Sequence, residues 1–315
     1  MVTPTNRRTG FTLIELLVVI ALIATLAALS AGAFFRVRAG QTKAASEATL
    51  NKLGSALENR LSAIREKVNE EARTNSDNYK LALSDAGGNP DVAKSLLLYA
   101  KVKNELPMSF DEAKTDTVVG SIILRRRENF RPLYTLASPN TPEESAICFY
   151  LAVTTSGGGG AMTDGEGLQQ QTMESPSFPG LKVFKDAWGT PIAFVRQAYP
   201  DEVNGGVYVR SGQVRDPFDP SNKLTTSGLM TSRWPVYMAS FPTWAVPSGV
   251  APFSSAPTLT NLKTVYPGAR NFTSTLISAG PDKQFFKTSE YDVYGGVNND
   301  NLLGYRLRRQ DAKGD

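Results

Sequence analysis

Glu15 is the one charged side chain between Phe11 and Phe35, a stretch otherwise built from Leu, Ile, Val, Ala and other uncharged residues. A carboxylate carried into hydrocarbon costs about 2.5–3.5 kcal/mol on insertion scales, so it persists there only if shallow, protonated or paired with a cation. Two readings stay open for it: a shallow carboxylate near the headgroups, or a buried one that a cationic partner neutralises. Several other chemistries are closed, although enzymes without histidine exist. The chain has 0 His and 1 Cys, Cys148. That removes Ser-His-Asp and Cys-His catalysis, His-ligated zinc and any intramolecular disulfide. Any metal would be a hard cation held by oxygen. The four consecutive glycines Gly157 to Gly160 are followed by no Gly-Lys-Ser/Thr, so they read as linker and not as a phosphate cradle. Cys148 lies within an apolar run and reads as a core thiol.

These residues need elements to position them. Residues 16–35 contain no charge, and twenty residues of helix span about 30 Å, the thickness of a bilayer core. The run is too long for a strand and predicts a membrane helix or an export signal. Two export readings compete: Arg7-Arg8 fits a twin-arginine signal, and Ala31-Gly32-Ala33 fits a small-residue cleavage site that would start a soluble chain near Phe34. Against both, Glu15 sits inside what should be an uncharged core. Beyond Phe35 the pattern turns amphipathic. Leu50, Leu53, Leu57, Leu61, Ile64 and Val68 recur at spacings of 3, 4, 4, 3 and 4, one helical face. No proline interrupts residues 11–71, which predicts one helix or two with a break near Gly40. The leucine stripe needs a head packed on it. Arg36, Arg38 and Lys43 follow the apolar run and partly oppose the positive-inside rule.

The segment Arg7-Arg8-Thr9-Gly10-Phe11-Thr12-Leu13-Ile14-Glu15-Leu16-Leu17-Val18-Val19-Ile20 resembles the amino-terminal signal of type IV pilins and type II secretion pseudopilins. The resemblance implies that prepilin peptidase cuts between Gly10 and Phe11 and methylates the new amine of Phe11. It also implies that Glu15 serves assembly. In a filament, the Phe11 amine of one subunit would neutralise Glu15 of its neighbour inside the apolar bundle.

The rest of the chain reads as a head of short elements. Asn75 to Asn78 and Asp85 to Asn89 read as turns, and Asn89-Pro90 as the opening of a helix from Val92 to Lys101. Ser109-Phe110-Asp111-Glu112 and Thr141-Pro142-Glu143-Glu144 fit capping boxes. Strands are expected at Leu181 to Lys185, Ile192 to Gln197, Val207 to Ser211 and Phe272 to Ser278. Residues 216–267 are rich in Pro, Ser and Thr and read as a long surface excursion.

Two further motifs resemble major pseudopilins. Asp186-Ala187-Trp188-Gly189-Thr190-Pro191 is similar to their Asp-Pro-Trp-Gly-Asn-Pro turn, with Ala187 and Thr190 as departures; a turn with a packed Trp188 is expected. Ser278-Ala279-Gly280-Pro281-Asp282 resembles their calcium-binding Ser-x-Gly-x-Asp-Gly loop, with Lys283 in place of the glycine. That resemblance implies a calcium ion held by Asp282, Asp292 and Asp300. An Asx-rich turn also forms without metal.

The expectation is thus an α+β, pilin-like fold: a long amino-terminal helix, half membrane and half amphipathic, on a small antiparallel sheet with short helices and long loops. The divisions are a leader at 1–10, the membrane and assembly half at 11–35, the amphipathic half at 36–71 and a periplasmic head at 72–315. The expected function is a structural pseudopilin of a type II secretion pseudopilus, not an enzyme; the alternative is a type IV pilin for adhesion, motility or DNA uptake. An exported enzyme or glycan-binding domain anchored by the apolar segment, with Trp188, Trp234 and Trp244 as a sugar platform, is a third reading. Implied partners are prepilin peptidase, other copies and other pseudopilins, the inner-membrane platform, a cytoplasmic ATPase and the inner membrane. A net charge of +4 on 315 residues argues for no nucleic-acid partner.

Overall fold

The computed structural model describes residues 13–139, 141–155, 169–198, 273–283, 285 and 302–303. The leader, the expected strand Val207 to Ser211, the glycine run and residues 216–267 lie outside these. The chain divides into two compact units, Met1–Ala45 and Ser46–Asp315, and helix α1 (Leu13–Thr74) contributes to both.

α1 is continuous, and Gly40 and Gly54 are both inside it. In the first unit its large apolar side chains are exposed, from Leu13 to Val37. In the second unit the leucine stripe is the spine of the core. Leu50, Leu53, Leu57 and Ile64 are fully buried, and Leu61 and Val68 nearly so. Asn75 takes a left-handed φ of 52° just past the helix end, a conformation asparagine tolerates better than most residues.

The expected turn at Asn75 to Asn78 is mostly a helix. Ser76 Oγ accepts from Tyr79 N–H at 3.3 Å and opens α2 (Asp77–Asp85), which buries Tyr79 and Ala82. Gly87 and Gly88, at φ 61° and 83°, end it as expected, with Gly88 N–H donating to Leu83 O at 2.8 Å. Asn89 then caps α3 (Pro90–Glu105), its Oδ1 accepting from Asp91 N–H at 3.1 Å and Val92 N–H at 3.3 Å.

Ser109 caps the short α4 (Phe110–Lys114). A hairpin of β1 (Thr117–Val119) and β2 (Ile122–Leu124) and a 3-10 helix at Glu128–Leu133 lead to α5 (Pro142–Thr154). The expected second capping box is not formed. Thr141 makes no side-chain cap, and Glu144 is buried, accepting from Phe110 N–H and Ser138 Oγ. Glu144 thus satisfies the open amino end of α4 rather than that of its own helix.

Among the described residues every strand pair is antiparallel. β3 (Thr172–Glu174) pairs with β4 (Lys182–Phe184); β5 (Ala193–Ala198), β6 (Thr273–Ser278) and β7 (Leu302–Leu303) form a sheet in that order. Helix α5 packs on β4 and β5, with Phe149 stacked on Phe194 at 5.3 Å between ring centroids and edge-on to Phe184 at 6.0 Å. Their burial joins that of the α1 stripe in one apolar cluster. The fold is α+β, a long amino-terminal helix with small antiparallel sheets and short helices, as the sequence predicts.

Candidate functional site

Glu15 lies in the first turn of α1, is exposed, and stands where a carboxylate favours the positive end of the helix dipole. Gly10 and Phe11, the processing residues, lie outside the described residues. Within the apolar half, Thr25 Oγ1 donates to Leu22 O at 2.8 Å, a bond from hydroxyl to the preceding turn of the same helix. Among the described residues α1 is the one helix long and apolar enough to cross a membrane.

In the second unit the structure brings the two head motifs together. Asp186 is buried, and its Oδ1 accepts from Trp188 N–H at 3.0 Å and Thr190 N–H at 2.9 Å. This closes the turn, in which Gly189 has φ 81°. Oδ2 of the same carboxylate accepts from Ser278 Oγ at 2.6 Å, the first residue of the second motif. Ser278 Oγ in turn accepts from Gly280 N–H at 3.2 Å. One residue along, Ala187 N–H donates to Ser46 Oγ on α1 at 3.0 Å. A single carboxylate and two hydroxyls thus tie α1, the turn and the end of β6. Burial raises the Asp186 carboxyl above its ordinary range, against the bonds from Ser278, Thr190, Trp188 and Gly189.

Trp188 is half-buried, and the turn that carries it is held by the Asp186 hydrogen bonds to the Trp188 and Thr190 N–H groups.

Of the three aspartates expected at calcium, Asp282 is described and half-buried; Asp292 and Asp300 lie outside the described residues. Among the described residues no group of three or more Asp, Glu, Cys or His gathers for a metal. Lys283, which stands where the resembling loop has glycine, adopts φ 61°. The backbone there keeps the left-handed conformation that glycine takes without strain, although a lysine must adopt it.

Sequence reasoning missed two buried charge clusters. Arg196 on β5 makes a two-pronged bond to Glu112, at 2.9 Å and 3.0 Å. It also donates to Leu106 O at 3.0 Å, and Met108 N–H donates to Glu112 at 2.9 Å. Burial opposes ionisation of Glu112, but Arg196, its hydrogen bonds, Lys103 and the Met108 N–H together hold the carboxyl below its ordinary value. The second cluster centres on Glu105 of α3, which pairs with Arg60 of α1 at 2.9 Å, Arg127 at 2.9 Å and Lys67 at 3.5 Å. The capping-box pattern pointed to Glu112 for another purpose; nothing local in the sequence pairs it with Arg196. Cys148 is fully buried, and burial, with Glu144 and Glu112 adding to it, pushes its thiol well above the ordinary range. It is a core residue and not a nucleophile.

Residues 5–31 match a family described as the prokaryotic N-terminal methylation motif. The match covers the basic residues, the Gly10–Phe11 junction, Glu15 and most of the apolar run. It supports a type IV pilin-like signal, processing by prepilin peptidase, and a structural subunit that assembles with other pilin-type subunits. The exposed apolar start of α1 is compatible with membrane anchoring of such a protein. No curated protein and no solved structure matches the chain.

Proposed function

We propose that this chain is a pseudopilin, a structural subunit of a type II secretion-type pseudopilus held in the inner membrane with its head in the periplasm. The observation that carries the reading is the match over residues 5–31 at the start of a helix that continues without a break into the head core. Prepilin peptidase cuts after Gly10 and methylates Phe11. Glu15 is the assembly residue, and the filament grows by head-to-tail contacts that do not close on themselves. The Asp186 turn tied to the Ser278 loop favours a secretion pseudopilin over a surface pilin, since these are the two head motifs that resemble major pseudopilins. Mass spectrometry of the mature amino terminus from membranes tests this. A chain beginning at a methylated Phe11 is expected, whereas a chain beginning near Phe34 identifies an ordinary exported protein and ends the reading.

We propose in addition that the loop after β6 takes calcium through Asp282, Asp292 and Asp300, supported by the glycine-like backbone at Lys283. Oxygen ligands from these carboxylates and nearby carbonyls are what calcium requires. Millimolar calcium is expected to raise the melting temperature, because a ligand bound to the folded state alone stabilises it. No shift at that concentration ends the calcium proposal and leaves the pseudopilin reading standing.

A further inference from the structure

From Leu16 to Ser46 the only charged side chains are Arg36, Arg38 and Lys43. They begin immediately after the exposed Phe34–Phe35 pair, whose rings meet edge-on at 6.0 Å. All three are exposed, on the same uninterrupted helix as the apolar run. At 1.5 Å per residue, Leu13 to Phe35 rises about 33 Å, close to a hydrocarbon core of about 30 Å. Phe34 and Phe35 then stand at the far boundary, where aromatic rings favour the interface. Arg36 and Arg38 follow within about 5 Å and Lys43 about 12 Å on, with side chains long enough to reach back to lipid phosphates.

The angular spacing identifies the kind of partner. Arg36 and Lys43 are seven residues apart and share a face, while Arg38 points close to the opposite way, at about 200° from Arg36 by helical geometry. A protein neighbour docking on this stretch would meet one face. Cations distributed around the helix suit a surface that surrounds it, which is a lipid headgroup layer. The next acidic residue along the helix is Glu47, one turn past Lys43 and within pairing reach of it, which leaves Arg36 and Arg38 as the cations nearest the apolar run.

We infer that Arg36, Arg38 and Lys43 form a collar that selects anionic phospholipid headgroups at the head side of the bilayer. The inference rests on the proposed membrane reading of α1. It also accounts for cations that oppose the usual topological bias: they read the local lipid rather than setting orientation.

The test reconstitutes the full chain into phosphatidylcholine vesicles containing a minority of phosphatidylglycerol, with spin-labelled versions of each lipid as probes. The expected result is a preference of the protein-restricted lipid for phosphatidylglycerol of about five-fold, on the scale expected for single cations at an anionic surface. The preference should shrink in about 1 M salt. Replacing all three (Arg36→Gln, Arg38→Gln, Lys43→Gln) should remove most of it, while Lys52→Gln, an exposed cation inside the head unit, leaves it unchanged. A preference that survives the triple replacement, or none in the parent chain, overturns the inference while α1 remains embedded. A chain that alkaline carbonate strips from the vesicles overturns the membrane reading and the collar together.

Discussion

Glu112→Ala is expected to lower the stability of the head by about 3–5 kcal/mol, because it leaves the Arg196 guanidinium buried without its bidentate partner. Both side chains are nearly inaccessible, at 4% and 9% relative exposure for Arg196 and Glu112. Lys103 adds a second cation at 3.9 Å from the same carboxylate. Loss of Glu112 also frees the N–H of Met108, while the Ser109 cap of α4, which uses the backbone N–H of residue 112, is kept. For a unit of this size the change corresponds to a fall in melting temperature of roughly 6–20 °C.

The pH dependence has a definite sign. A carboxyl held below its ordinary value in the folded state binds fewer protons there than in the unfolded chain. The stability it contributes is therefore complete above the ordinary value of 4.5 and is lost as pH falls through the lower folded value. Urea unfolding of the full chain in detergent, at neutral pH and below pH 4.5, should show the parent weakening with acid and Glu112→Gln weakening much less. Replacing the pair together, Glu112→Leu with Arg196→Met, should recover most of the loss, since an apolar pair of similar size needs no desolvated charge. Equal midpoints for parent and Glu112→Ala would show that the pair is not holding the head together.

What was legible in the chain follows from the range over which each signal acts. The α1 stripe was readable because six apolar residues repeat at helical spacing, and their burial needs no knowledge of what covers them. Asn89-Pro90 was readable for the same reason, a cap being completed within three residues. Helix α2 was misread because Asn75, Asp77 and Asn78 are turn-forming types, yet Ser76 caps a helix whose stability comes from burying Tyr79 and Ala82. The hairpin Thr117–Leu124 was missed since two three-residue strands carry almost no periodicity. Glu144 shows the limit of a capping pattern: the motif was present, but a donor 34 residues away competed for the carboxylate and won.

The candidate site divides the same way. The Gly10–Phe11–Glu15 signal is contiguous, so the sequence displays it whole. The link from Asp186 to Ser278 spans 92 residues, and its third participant, Ser46, lies 141 residues from Ala187. Each motif was visible as a turn; only folding shows that one carboxylate serves both. The tryptophan between them drew attention because large aromatics usually fill cores. Here the backbone N–H groups of Trp188 and Thr190 hold the turn through Asp186, and the indole beside them is half-buried.

Glu15→Ala is expected to leave cleavage and methylation intact and to abolish filaments. The peptidase acts at the Gly10–Phe11 bond, and alanine keeps the start of α1 helical, being the best helix former. The effect falls on the balance between bilayer and filament. A carboxylate in hydrocarbon costs about 2.5–3.5 kcal/mol. On the proposed reading, moving into the bundle beside the Phe11 amine of the next subunit relieves that cost. Alanine removes the cost in the bilayer and the pairing in the filament at once, so the subunit is more content to stay in the membrane and gains less on leaving it. A loss of about 3 kcal/mol per added subunit is roughly a hundred-fold in each addition step, enough to stop growth. Glu15→Asp keeps the charge on a shorter arm and should assemble weakly, which separates lost pairing from lost folding. The measurement is the ratio of processed subunit to sheared filament in membranes carrying each variant. Processed Glu15→Ala subunits that build normal filaments would remove pairing with the neighbouring Phe11 amine as the reason this acidic residue stands in an apolar helix.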